Sequence, residues 1–181
     1  CERNNKKITR DALNYLLTAV GNNLGILENE LQKIYSYMDS ESLIDIETVK
    51  EICSKTLANN IFELVDCLTE GNTEKALFYL RDMVLAGEPE IRILFMIIRQ
   101  YRLMLQAKLL SSKGHSINTI IIKTGWHPFV AKKVTKQAQA FSIEELERKL
   151  EFLLELDKNI KSTGISPIFL LETGILKLAK I

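Results

Sequence analysis

Lys132, Lys133 and Lys136 fall on roughly one face of a segment opened by Pro128, with Trp126 and Phe129 at its start. Three cations in a short helical stretch, with aromatic rings beside them, could hold a phosphate backbone. The pattern is not specific for nucleic acid, and a subunit interface or a plain solvated surface accounts for the same residues more readily. Other chemistry is poorly supplied. His115 and His127 stand alone, with no Cys or carboxylate at ligand spacing, so no metal is expected. Cys1, Cys53 and Cys67 are odd in number and form no Cys-x-x-Cys pair. They read as buried or incidental thiols in a reducing cytoplasm. No Gly-x-x-x-x-Gly-Lys-Ser/Thr phosphate loop, Gly-x-Ser-x-Gly elbow or His-Glu-x-x-His pair occurs. The carboxylates Glu144, Glu147 and Glu151 recur at helical spacing and read as a solvated face, since catalysis needs a pocket around such groups. Neither an active site nor a cofactor is expected.

Charge is divided along the chain. Residues 41–90 hold eleven acids and four bases, a net of −7, whereas residues 91–143 hold nine bases and no acid. The overall net charge of +1 conceals this separation. A basic block beside an acidic one favours electrostatic docking, within the chain or with a partner. Arg99, Arg102 and Lys108 of that block lie among many apolar residues between Ile91 and Leu110, where they could also snorkel from a buried helix. The same charges argue against a membrane span.

The elements that must position these residues are helical almost throughout. Leu24, Leu27, Leu31 and Ile34 recur at three and four residues and share a face. This helix follows the glycine turn Gly21–Gly25, is preceded by a helix over 10–20 and followed by one over 46–54. Further on, Asn60 is expected to cap a helix ending at Gly71, and Asn72 or Thr73 one ending at Gly87. Pro89 opens a long helix to about Lys113, stopped by Gly114. Ser116 opens a short one stopped by Gly125, and Pro128 another to about Phe141. Ser142 with Glu145 forms a capping box, and Ser166-Pro167 starts the last helix. Ile120-Ile-Ile122 is strand-like in composition but sits among helix signals. The aromatics Phe62, Phe78, Tyr79, Phe95, Tyr101, Phe152 and Phe169 fall at core spacing. The final helix is apolar nearly all round, which marks Phe169 and Leu176 as candidates for a subunit interface.

The expected fold is therefore all-α: a small three-helix bundle over 1–55, then a larger helical bundle over 56–181. A composition of 46% apolar and 26% charged residues suits an ordinary globular protein. The start at Cys1, followed by a polar run, suggests a piece of a longer protein.

The order of these pieces resembles the delta-subunit family of bacterial DNA polymerase III. Glu28-Asn-Glu-Leu-Gln-Lys33 after a glycine turn is the first point of likeness. Asn60-Ile-Phe-Glu-Leu-Val-Asp-Cys-Leu-Thr-Glu-Gly71, Gly87-Glu-Pro89, Arg99-Gln-Tyr-Arg102, Trp126-His-Pro-Phe129 with Lys132-Lys133, Gln137-Ala-Gln139 and Leu156-Asp157 follow in order. The resemblance implies a helical lid over 1–55 and a helical collar over 56–181. It implies assembly with the clamp-loader ATPase (tau/gamma) and delta-prime subunits. The sliding clamp would be met through an N-terminal domain outside this chain, and DNA would be met indirectly if at all. Polymerase activity would attach only through membership of the holoenzyme. ATPase members of the wider group carry an Arg after the glycine turn, and Leu24 stands at that position here. Two other readings compete: a helical nucleic-acid-binding module using the basic segment 91–143, and a helical enzyme domain with a site the motifs do not reveal.

Overall fold

The computed structural model describes residues 6–20, 24–38, 43–53 and 56–181. The chain divides into two units, Cys1–Asn59 and Asn60–Ile181. Among the described residues ten helices account for nearly all regular structure.

In the first unit, strand β1 (Lys7–Ile8) precedes helices α1 (Arg10–Val20) and α2 (Leu24–Tyr37), then strand β2 (Leu43–Ile44) and helix α3 (Ile46–Ile52). The two strands pair in parallel, Lys7 opposite Leu43 and Ile8 opposite Ile44. A pairing two residues long is too short to leave an alternating pattern, so the sequence shows helices alone. It nevertheless sets the start of α1. Thr9 donates its N–H to the Ile44 carbonyl at 3.0 Å, and its hydroxyl accepts from the Ala12 N–H at 3.2 Å. Ala12, Leu16, Ala19 and Val20 of α1 close a core with Ile34, Met38, Ile44, Val49 and Cys53. Leu27 and Leu31 lean on its edge, whereas Leu24 is exposed in the first turn of α2 and does not join the face it shares with them. Asp45 caps α3, accepting from the Thr48 N–H at 2.9 Å and the Thr48 hydroxyl at 2.8 Å. Those bonds hold its carboxyl below the usual range. Helix α3 ends at Ile52, because Cys53 is already extended. Ser54 and the glycine turn residues Gly21–Asn23 lie outside the described residues.

The larger unit is built from α4 (Leu57–Thr69), whose first turn lies before the division, α5 (Thr73–Leu85), α6 (Glu90–Ser112), α7 (Ile117–Thr124), α8 (Pro128–Ala138), α9 (Ile143–Ser162) and α10 (Pro167–Leu178). Helix α4 starts three residues before the expected cap. Thr56 accepts from the Asn59 N–H at 3.3 Å, and Asn60 is buried inside the helix. Asn72 caps α5, Ser116 caps α7, and Ser142 and Glu145 form the expected capping box of α9. Gly125 ends α7 at φ 69°, a left-handed conformation that side chains with a Cβ resist. Ile120–Ile122 is helical within α7. Helix α8 stops at Ala138, a few residues short of Phe141, and a turn leads into Ser142.

Helix α6 is the spine of this unit. It packs mainly against α9 and α8, with α10, α7 and α5 at its sides. Ile93, Leu94, Ile97, Tyr101, Met104 and Ala107 form its buried face. Opposite them stand Leu146 and Leu153 from α9, Val134 from α8 and Leu171 from α10. Gly174 lies where α10 meets α9: an added Cβ would stand 2.5 Å from Leu156 Cδ2, so the leucine side chain would have to shift.

Candidate interaction surface

The basic cluster does not stay together. On α8, Lys132 and Lys136 are exposed and one turn apart. Lys133 turns inward. Its ammonium lies 3.1 Å from Glu63 Oε1 and 3.7 Å from Asp66 Oδ2 on α4. It also sits 5.0 Å from the centre of the Phe62 ring. Only 17% of the Lys133 side chain is exposed. The shared face read from the spacing therefore holds for two of the three lysines. Phe129 is half-buried and meets Phe62 edge to face, with ring centres 6.4 Å apart. Trp126 is half-buried in the turn before α8, its N–H donating to the Thr124 hydroxyl at 3.3 Å. His127 caps α8 by accepting the Phe129 N–H on Nδ1 at 3.3 Å. His115 Nε2 and Lys123 Nζ lie 3.0 Å apart on the surface. Among the described residues no three metal-ligating side chains come together.

Two residues from the segments Arg99–Arg102 and Gln137–Gln139 meet in the interior. Gln100 Nε2 donates to Gln137 Oε1 at 2.5 Å. Gln137 Nε2 in turn donates to the Phe62 carbonyl at 3.0 Å and to Asp66 Oδ1 at 2.6 Å. Lys133 and Gln137 are four residues apart, so one face of α8 delivers both to α4. This polar seam joins α4, α6 and α8. Gln100 and Gln137 are buried and hydrogen-bonded, as polar groups inside a protein must be, and Asp66 is half-buried at the edge.

A different surface is left apolar. Phe78 and Leu85 on α5 are 65% and 87% exposed, and Phe169 and Leu176 on α10 are 56% and 41% exposed. Between them Arg81 Nε donates to Glu172 Oε1 at 2.6 Å, bridging the two helices. The Glu172 carboxylate raises the pKa of Arg81 further above its already high value. Both helices carry the same pattern, an aromatic residue, a charge three positions on and a leucine four beyond that. Ala76, Leu80 and Met83 point α5 inward, so Phe78, Arg81 and Leu85 must point out. Leu171, Ile175 and Leu178 do the same for α10. Phe169 and Leu176 were expected at a subunit interface and both are exposed, whereas Phe78, Phe95 and Phe169 also fell at core spacing and lie outside the core. The signal that finds Phe78 and Leu85 is their seven-residue spacing, out of phase with Ala76, Leu80 and Met83. Lys149 closes the other side of α10. Its buried ammonium donates to the Leu178 carbonyl at 2.7 Å, the C-terminal end of the helix, where a cation is favoured.

The family model of the DNA polymerase III delta subunit, C-terminal domain, matches residues 58–178. DNA polymerase III subunit delta of Bacillus subtilis (strain 168) is 30% identical over 175 residues, covering 97% of this chain and 50% of that protein. Probable DNA polymerase III subunit delta of Aquifex aeolicus (strain VF5) is 31% identical over 153 residues, covering 83% of this chain and 43% of that protein. Among solved structures, the Bacillus subtilis DNA clamp loader delta protein superposes with a TM-score of 0.89 at 29% identity. The match covers 99% of this chain and 53% of that one. The chain thus spans about half the length of its relatives. A helical unit that matches the family model over residues 58–178, within a chain similar to its relatives nearly end to end, belongs to the DNA polymerase III delta subunit family.

Proposed function

We propose that this chain supplies the lid (residues 1–55) and the collar (residues 56–181) of a clamp-loader delta subunit, and that its work is assembly rather than catalysis. In this reading the collar joins the ATPase (tau/gamma) and delta-prime subunits, and the complex loads the sliding clamp onto primed DNA in the cytoplasm. Contact with the clamp itself is assigned to the half of the relatives that this chain does not span. The observation that carries the reading is the apolar face of α5 and α10. The core is already filled by Leu80, Ile97, Tyr101, Leu153 and Leu171. Phe78, Leu85, Phe169 and Leu176 stay 41–87% exposed outside it, and covering the exposed part of each would contribute about 1–2 kcal/mol. An exposed patch of this kind marks an association surface. Leu24 adds support from the first unit. It is exposed at the start of α2 and offers no cation to a nucleotide phosphate.

The test is size-exclusion chromatography with light scattering, using this chain mixed with the polymerase III ATPase subunit of the same organism. A mixed complex that survives high salt and is lost in Leu176→Glu is expected, because an apolar contact is not screened. Separate elution at every salt concentration, from folded protein, would overturn the assignment. The exposed Lys132 and Lys136 favour one second reading, direct contact with DNA. That reading requires affinity falling steeply with salt and weakened by Lys132→Ala/Lys136→Ala.

A further inference from the structure

Helix α6 carries a second apolar stripe, on the side turned away from its core face. Ile91, Phe95, Ile98, Arg102, Leu105 and Leu109 are spaced 4-3-4-3-4, the alternation of the a and d positions of a heptad. At about 100° per residue they fall roughly opposite Ile93, Ile97, Gln100 and Met104, which face the core. Ile91, Phe95, Arg102 and Leu109 are exposed, with Phe95 at 61%, and Ile98 and Leu105 are half-buried. A helix apolar on two opposite faces is built to be covered on both. The stripe is about 27 Å long at 1.5 Å per residue, five turns of continuous seam.

The charges on this face say what covers it. Arg102 stands in the middle of the seam and Arg99 beside it, and neither makes an ion pair among the described residues. From Ile91 to Ile143 the chain carries no acid to answer them. Apolar residues at heptad spacing fit the side chains of another helix, and two arginines at a protein contact want carboxylates in bidentate reach. A phosphate backbone would satisfy the arginines but would leave Phe95, Ile98, Leu105 and Leu109 wet along the same line. We infer that the outer face of α6 is a docking groove for an acidic amphipathic helix of a partner protein. It lies on a helix other than the α5 and α10 pair, and it does not depend on the clamp-loader reading.

The test uses fluorescence anisotropy with the whole chain. One probe is a fluorescein-labelled helical peptide with leucine at a and d and glutamate at e and g. Its counterpart carries lysine in place of glutamate. The glutamate peptide is expected to bind, and the lysine peptide to bind about tenfold more weakly or worse. Phe95→Asp should weaken the glutamate peptide by about tenfold or more, with the circular dichroism spectrum unchanged because Phe95 is exposed. Arg102→Glu should reverse the preference between the two peptides, which loss of folding cannot do. Equal binding of both peptides, binding indifferent to both substitutions, or no binding would overturn the proposal. So would displacement of the glutamate peptide by duplex DNA without peptide sequence preference, which would assign the face to phosphate. A dimer in light scattering that disappears in Phe95→Asp would also overturn it, by assigning the face to a second copy of this chain.

Discussion

Gln100 and Gln137 hydrogen-bond amide to amide at 2.5 Å between α6 and α8, both almost fully buried. Each comes from a segment that resembles the family, and their place is internal rather than at a binding surface. Gln137 spends its remaining donor on α4, through the Phe62 carbonyl and Asp66. Three helices are therefore keyed to one register by a single side chain. Gln137→Leu keeps the volume but strips partners from Gln100, Phe62 and Asp66, and should destabilise the chain by roughly 1–3 kcal/mol. The double variant Gln100→Leu/Gln137→Leu should recover part of that loss, because two apolar partners leave less polar surface unpaired. Urea unfolding of the four proteins measures the coupling. If the two losses simply add, the pair does not act as a unit.

Lys133 and Lys132 are adjacent in sequence and should behave as opposites. Lys133 is paired with Glu63 and Asp66 and lies over Phe62. Truncation to Ala should cost roughly 1 kcal/mol of stability, through the lost cation–ring contact and the exposed side of two carboxylates. Lys132→Ala should leave stability unchanged. Thermal unfolding followed by circular dichroism separates them. Equal midpoints would mean that the inward pose of Lys133 contributes nothing.

Much of this was legible along the chain, and the failures have physical reasons. Caps and stops are local, so α5, α6, α7, α9 and α10 could be bounded from Asn72, Pro89, Gly125, Ser142 and Pro167. Helix α4 was misplaced because Asn60 has a cap's composition, while the groups that decide, Thr56 and Asn59, sit just upstream. Phe78, Phe95 and Phe169 fall at core spacing yet are exposed, because spacing shows that apolar residues share a face without showing which face meets the bundle. The ion pair between Arg81 and Glu172 joins residues 91 apart in sequence, and no local pattern announces it. Neither does the two-residue pairing of Lys7–Ile8 with Leu43–Ile44, whose ladder is shorter than the pattern that would reveal it.

Gly174 offers a test of the packing between α9 and α10. A Cβ there would stand 2.5 Å from Leu156 Cδ2 and 3.4 Å from Cδ1. Gly174→Ala gains about 1 kcal/mol of helix propensity but overpacks the contact, at a cost of roughly 1–3 kcal/mol. A small net destabilisation is expected. Leu156→Val should reduce the clash, so the alanine should be tolerated better in that background than in the parent. A double-mutant cycle by chemical denaturation reads this directly. Additive effects would show that the helices move apart at no cost.

Cys53 gives the first unit a dependence on alkaline pH. Burial pushes its thiol up to about 11, and the nearby Glu30 carboxylate acts in the same direction. The folded state therefore holds this proton after the unfolded chain, with an ordinary thiol near 9.0, has released it. The unfolded state binds fewer protons in that interval, so stability must fall as pH rises from about 9 towards about 11. Below that window the contribution is constant. Lys149 acts with the opposite sign, because burial lowers its pKa and its desolvation is relieved as it deprotonates. The comparison that isolates Cys53 is the stability difference between the parent and Cys53→Ala, followed by circular dichroism in urea at several pH values. The difference should be flat near neutrality and should shift against the parent above pH 9. A difference independent of pH throughout that range would show that the thiol titrates normally and that its burial against Ile34 and Val49 is looser than the packing requires.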